Sequence, residues 1–359
     1  MNWEFLVNSS IEVFRSSDGR ASRRQMRIAL VALAAMTAVG SALAQEPAAP
    51  EAAAPAPPAA EAPLAEPPPG AEPPKPKPPP YSLPWQLRPV VAATVLRSDT
   101  AFALYKQSAT NDESGSTIAP MLLFSYKVMD GFAPLVRLGL VSNSPPDVPN
   151  GPASSTLLVN PVVGATFAPK IHDQLKLGLF LGVTLPVGMG GGDKPDPEDP
   201  VALAAGAAAR SAMDNAMFAV NYFTVFPGVG FAYVAHGLTL QVEATVFLLN
   251  KARGPETIDK RNTNFTTGFH AGYFIVPQFS LGAEIRHQRW LSTPATIKVG
   301  GVVNDNLRDT TTFAVGPRVH IKLGETSWFR PGIAFAMPLD KPMSDRDYKI
   351  VQLDLPVAF

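Results

Sequence analysis

The sequence predicts an all-β chain whose antiparallel strands close into a transmembrane β-barrel. Three observations predict it. Apolar and polar residues alternate with period two over runs of 10–13 residues. The connections between these runs alternate between short and long. Acidic residues avoid one of the two faces of every run.

Residues 1–84 stand apart from this pattern. Residues 28–44 form an apolar, alanine-rich run, preceded by Arg23, Arg24 and Arg27 and closed by Ala42-Leu43-Ala44. A basic start, an apolar centre and a small-x-small site predict a secretory signal peptide over 1–44. Residues 26–44 supply all three features, so 1–25 read as an over-extended start. Residues 45–80 hold 15 prolines among 36 positions. Such a composition cannot bury enough apolar surface to offset its ordering entropy. A disordered Pro/Ala-rich arm is therefore expected over 45–84. Polyproline II at about 3.1 Å per residue would let it reach about 110 Å. The barrel is expected over 85–359.

Twelve segments carry the alternation: 87–106, 117–128, 132–142, 156–168, 174–186, 216–234, 238–250, 263–275, 279–291, 310–323, 328–337 and 348–359. In 174–186, Leu175, Leu177, Leu179, Leu181, Val183 and Leu185 share one face, opposite Lys176, Gly178, Phe180, Gly182 and Thr184. In 238–250, Leu238, Leu240, Val242, Ala244, Val246 and Leu248 oppose Thr239, Gln241, Glu243 and Thr245. Ordinary strands run to about 5–6 residues, whereas a tilted membrane strand needs about 9–11. The first segment is overlong and its parity reverses near Ser98-Asp99. It reads as a bulged strand, or as a hairpin that would raise the count to fourteen. Pro161, Pro227 and Pro317 each remove a ladder donor, so bends or bulges are expected there.

The connections 129–131, 169–173, 235–237, 276–278 and 324–327 are 3–5 residues long. Those at 107–116, 143–155, 187–215, 251–262, 292–309 and 338–347 are 10–29 long. Short turns on one rim and long loops on the other are the asymmetry of a membrane barrel. An even strand count returns both termini to the short-turn side. Of the 22 acidic residues after position 80, only Glu243, Glu284 and Asp354 fall within these strands once Asp99 is assigned to the strand break near Ser98-Asp99, and all three are on the polar face. The strand glycines share that face, where missing side chains relieve crowding inside a closed sheet. Tyr126, Phe132, Tyr233, Tyr273, Phe279, Trp290, Trp328 and Phe359 lie near strand ends, as interfacial girdles require.

Composition excludes several function classes. The chain is 46% hydrophobic and 17% charged, against about 25% charged in soluble domains. It has no cysteine, hence no disulfide framework and no thiolate metal site. Its net charge of +0 gives no reason to expect a nucleic-acid partner. No cofactor is predicted.

The chain ends Lys349-Ile350-Val351-Gln352-Leu353-Asp354-Leu355-Pro356-Val357-Ala358-Phe359. Phe359, Val357, Leu355, Leu353 and Val351 alternate back from a terminal aromatic. This resembles the C-terminal strand signal of Gram-negative bacterial outer-membrane β-barrel proteins, of a porin-like kind with about 12 strands. Pro356 departs from the usual pattern. The resemblance implies a place in the bacterial outer membrane, contact with its lipid and lipopolysaccharide, and recognition of those five residues by the barrel-assembly machinery. It also places the N-terminal arm in the periplasm, where peptidoglycan is a further partner.

Lumen parity collects eight cations, Arg88, Lys127, Arg137, Lys176, Arg286, Arg318, Lys322 and Arg330, against Glu243, Glu284 and Asp354. Basic rings favour anions in pores. The sequence therefore predicts a passive, porin-like channel for small, preferentially anionic solutes. The alternative is a plugged structural or anchoring barrel in which these groups pair with one another. An eight-stranded barrel is filled and a 16-stranded one holds water, and twelve lies between. Segment 187–215 is either a solvated loop or one folded into the pore. Its Asp193, Asp196, Glu198 and Asp199 lack metal-loop spacing. A lipid-modifying hydrolase is the least favoured reading. None of His172, His236, His270, His287 and His320 sits beside an obvious nucleophile, and Gly-x-Ser-x-Gly and His-Glu-x-x-His are absent. No enzyme is expected. His287 and Arg289, beside Trp290, are candidates for lipopolysaccharide phosphates.

Overall fold

Along β8 (Leu238–Lys251) the usual burial of a soluble strand is inverted. Val242 and Leu248 are 49% and 43% exposed, while Gln241 and Glu243 are 0% and 5% exposed. The apolar face looks out and the polar face looks in, as a lipid-embedded closed sheet requires. The computed structural model describes residues 81–108 and 111–359. The expected signal peptide and most of the expected arm lie outside the described residues.

The wall comprises β1 (Val95–Ser108), β2 (Asn111–Ser125), β3 (Phe132–Ser144), β4 (Ser155–Leu158), β5 (Val162–Phe167), β6 (Leu175–Thr184), β7 (Tyr222–Ala235), β8, β9 (Arg261–Val276) and β10 (Phe279–Trp290). It continues through β13 (Asp309–Val319), β14 (Ile321–Leu323), β15 (Ser327–Phe329), β16 (Gly332–Pro338) and β17 (Lys349–Ala358). A two-stranded hairpin, β11 (Lys298–Val299) and β12 (Val302–Val303), decorates one long loop. Neighbours pair antiparallel in chain order, and β1 closes on β17 from Val95↔Ala358 to Leu104↔Lys349. Counting β4 with β5, β13 with β14 and β15 with β16 as single interrupted strands gives a closed twelve-stranded barrel.

The first strand begins at Val95, so the reading of 87–106 as one strand or a hairpin is corrected. Residues 81–94 are not in the wall. Within β1 the inward side chains are Arg97, Asp99, Ala101, Ala103 and Tyr105, all buried. The parity reversal near Ser98-Asp99 arises because the residues before Val95 obey a different geometry. Asp99, read from sequence as a strand break, is an inward wall residue. The sixth expected strand is also shorter than its sequence pattern: β7 starts at Tyr222, and 216–221 belong to the preceding insert.

The three interior prolines differ. Leu140 pairs Leu158 while Arg137 pairs Val162. Three residues, Val159 to Pro161, therefore face two on β3, which is a bulge. At Pro227 and Pro317 the ladder skips to the next pair without a register shift. The missing donor is absorbed locally there.

Leu181, Phe231, Phe269, Ile285 and Val315 extend the exposed apolar belt around the wall, each at least 40% exposed. Tyr126, Tyr233 and Tyr273 lie exposed at strand ends beside short turns, as a girdle requires. Trp290 does not belong to it. It is half-buried and packs against the apolar cluster inside the barrel.

Candidate functional site

The core lies inside the lumen, and two non-sheet segments fill it from opposite rims. Residues 81–94 enter from the short-turn rim, which is the periplasmic one in barrels of this kind. Their irregular backbone leaves main-chain donors that must find partners. The wall supplies them. The Ser82 amide donates to Thr239 Oγ1 at 2.9 Å. The Trp85 and Gln86 amides both donate to the Glu284 carboxylate. The Arg88 amide and guanidinium both donate to Glu243, and Gln241 Nε2 donates to the Arg88 carbonyl at 2.8 Å. Wall glycines make the room. A Cβ at Gly230 would stand 2.6 Å from Val90 Cγ1, one at Gly268 2.8 Å from Leu87 Cδ1, and one at Gly332 2.6 Å from Trp85 Cη2. Trp85, Leu87 and Val90 are at most 2% exposed.

The second filler is the insert 185–221, between β6 and β7. Pro200 opens α1 (Asp199–Ala209), an alanine-rich helix that buries Ala202, Leu203, Ala205, Gly206 and Ala209. Gly206 is needed for close approach, since a Cβ there would lie 2.6 Å from Val141 Cγ2 of β3. A short helix, α2 (Asn215–Phe218), follows. The β4–β5 bulge clamps the insert through Asn160. Its side chain donates to the carbonyls of Ala219 and Tyr222 at 2.9 and 3.3 Å and accepts from the Gly188 amide at 3.0 Å. Segment 187–215 is thus folded into the barrel. The acidic residues in it do not converge: Asp199 accepts from Ser155 Oγ at 2.7 Å.

Buried ion pairs tie both fillers to the wall. Arg210 of the insert holds Asp99 through both Nη atoms, at 2.8 and 2.5 Å, and Asp214 through Nε at 2.9 Å. Arg137 reaches Asp214 at 2.5 Å and Asp99 at 3.5 Å. Asp354 lies between Arg97 and Arg318, at 2.7 and 2.6 Å. Arg286 pairs with Glu284 at 2.8 Å and donates to Gln352 at 2.7 Å. Arg318 stacks 4.4 Å from the Trp85 ring, and Arg88 4.5 Å from that of Phe180.

Between the fillers remains a chamber of about 300 Å³. Its lining runs from Ala93, Ser125 and Ala358 near the short-turn rim to Asp214 and Met217 of the insert. Arg88, Arg97, Arg137 and Arg330 reach it between apolar side chains.

The structure sorts the expected pore residues into three groups. Arg137, Glu243, Glu284, Arg286, Arg318 and Asp354 face the lumen from the wall. Arg88 and Arg330 also reach it, but Arg88 does so from the N-terminal segment, not from a strand. Lys127 and Lys322 do not line it. Both are exposed, Lys127 just past the end of β2 and Lys322 within the short β14 near the rim, and Lys127 Nζ lies 2.6 Å from Asp130, whose carboxyl it holds below its usual range by hydrogen bond and charge. Lys176 stays half-exposed near the same rim, bridged to Lys170 through the backbone. Each luminal carboxylate takes an arginine, the pairing that the plugged alternative expects. Arg97, Asp99, Arg210 and Asp214 were missed. The Arg210–Asp214 pair carried a signal, four-residue spacing on a helix-prone run.

Folding brings His320 beside a hydroxyl that is remote from it in sequence. Ser280 Oγ lies 2.8 Å from His320 Nε2. Both residues are buried. Among the described residues no carboxylate orients the other ring nitrogen, as an activated pair requires. His287 bonds Thr311 through Nδ1 at 3.0 Å, and Arg289 pairs with Asp309 at 2.9 Å.

No protein-family model matches this chain, and no curated protein does. Solved structures similar to it are β-barrels. The COG4313 outer membrane channel from Pseudomonas putida F1 aligns with a TM-score of 0.49 at 12% identity, over 77% of this chain and 98% of that one. The KdgM porin in complex with disordered oligogalacturonate aligns at 0.40 and 10%, over 74% and 99%. The translocator domain of autotransporter NalP from Neisseria meningitidis aligns at 0.40 and 10%, over 75% and 88%. The closed antiparallel wall and its outward apolar belt make this chain a membrane-type β-barrel.

Proposed function

We propose that the protein is a constricted outer-membrane channel for small, preferentially anionic solutes. The observation that carries this reading is the chamber inside the lumen, reached by Arg88, Arg97, Arg137 and Arg330. Low-dielectric walls focus the field of such charges on a passing ion, and basic linings select anions. The luminal carboxylates neutralise most of that field, so the preference is weak. The insert and residues 81–94 set the constriction. The reading is one of transport and not of catalysis. Lipid meets the apolar belt, lipopolysaccharide phosphates meet Arg289 on the long-loop rim, and the barrel-assembly machinery reads Phe359, Val357, Leu355, Leu353 and Val351.

A second reading, a sealed anchoring barrel, is favoured by the ion pairs that hold both fillers in place. Planar-bilayer recording of the folded protein separates the two. Small conductance steps with a reversal potential on the anion side support the channel, and Arg330→Glu should move that potential toward cations. Current no higher than the lipid baseline would leave the anchoring reading standing.

A further inference from the structure

Arg330 is the luminal arginine left without a partner. Asp99, Asp214, Glu243, Glu284 and Asp354 are each taken by another arginine. Among the described residues no acceptor meets the Arg330 guanidinium. Its Nε is buried without a hydrogen bond, and its nearest ring is Trp328, at 5.6 Å. A sheltered cation with no counter-charge is costly, and an anion brought to it is held correspondingly well.

Most of the remaining lining is apolar, and Arg88, Arg97 and Arg137, which also reach the chamber, are already paired with carboxylates. Phe180 and Phe226 stand 5.5 Å apart, Phe226 and Phe247 5.2 Å, making a continuous aromatic wall. Leu83 and Met217 line the same space. We propose that the chamber is a saturable site for a small organic monocarboxylate: Arg330 takes the carboxylate, and a compact apolar body packs along the apolar lining. Each alternative ligand class fails on one count. A bare inorganic anion would lose its hydration against walls that return little hydrogen bonding. A neutral apolar molecule would leave Arg330 unpaired. A dianion would find one free cation, not two. The volume of about 300 Å³ is at the small end of ligand pockets, which fits a single-ring acid. The inference rests on the channel reading for the route by which the acid arrives.

The test titrates the purified full chain in detergent micelles, with folding verified by gel shift, using benzoate, benzyl alcohol and acetate. Benzoate should saturate one site and bind about tenfold tighter than either control. Arg330→Gln should reduce benzoate to the level of benzyl alcohol, while Arg330→Lys should stay within about threefold of the parent because it keeps the charge. Equal binding of benzoate and benzyl alcohol by the unmodified chain overturns the site without recourse to any variant. An unchanged benzoate affinity in Arg330→Gln overturns it too. Bilayer recording of the same preparation keeps the two readings separate. A chain that conducts chloride but does not bind benzoate loses the site and keeps the channel. A chain that binds benzoate but never conducts keeps the site and loses the channel.

Discussion

Arg210 of the luminal insert grips Asp99 of β1 with both terminal nitrogens, at 2.8 and 2.5 Å, and its side chain is 0% exposed. Paired nitrogens on one carboxylate fix orientation as well as distance. This grip fastens the insert to the strand that closes the barrel. Removing one partner leaves the other with only its second pairing, Asp99 with Arg137 at 3.5 Å or Arg210 with Asp214 at 2.9 Å. The cost therefore lies toward the lower end of the range of about 3–5 kcal/mol for a broken buried pair. The backbone ladders of the wall do not depend on it, so the cost falls on insert docking. Arg210→Gln and Asp99→Asn should therefore each raise single-channel conductance while leaving the folded gel mobility intact. The double variant should conduct no more than the worse single variant, because both changes break the same contact. Bilayer recording of the three proteins checks this.

A valine at Gly230 should dislodge the N-terminal segment. The new Cβ would lie 2.6 Å from Val90 Cγ1, and a packed interior cannot absorb that overlap without movement. Residues 81–94 should then be cut faster by added protease, and conductance should rise. Val90→Gly in the Gly230→Val background should restore both readouts, since it removes the atom that clashes. Failure of that rescue would show that the clash lies elsewhere.

Asn160→Ala should loosen the insert from its other end. The buried amide serves three main-chain groups, those of Gly188, Ala219 and Tyr222. Each group left unpaired costs about 1–3 kcal/mol. Limited proteolysis should cut within 187–221 in the variant at protease levels that leave the parent whole. Mass mapping of the fragments checks the site of cutting.

The wall was legible in the sequence because lipid imposes a simple rule on it. Glu243 and Val242 must face opposite ways, and period two records that. The contents of the lumen were less legible, for two physical reasons. Residues 87–94 alternate much like a strand, yet Trp85, Leu87 and Val90 are buried against wall glycines, not against lipid. One-dimensional periodicity cannot tell those two apolar surroundings apart. The inward parity of Arg137, Arg318 and Asp354 was correct, but their neutralisation depends on Asp214 and Arg97, which come from the insert and from β1. Contacts over such separations leave no local spacing to read. The glycines did carry a record of the filler, since their shared inward face marks where something bulky had to fit.

A cross-link offers the most direct reading of whether the insert moves. The chain has no cysteine, so a pair introduced as Gly206→Cys and Val141→Cys would stand alone. A Cβ on Gly206 lies 2.6 Å from Val141 Cγ2, and one further bond of about 1.5 Å brings the two Cβ atoms within about 4 Å of each other, a disulfide spacing. The Gly206→Cys single variant controls for crowding against Phe218, which a Cβ would meet at 2.5 Å. Oxidation should pin α1 to β3 and lower the conductance of the double variant, reductant should restore it, and the single variant should ignore both. Equal conductance in the oxidised and reduced double variant, with the cross-link verified by mass, would mean that solutes pass beside a fixed insert. The route would then run along the chamber wall without displacement of α1.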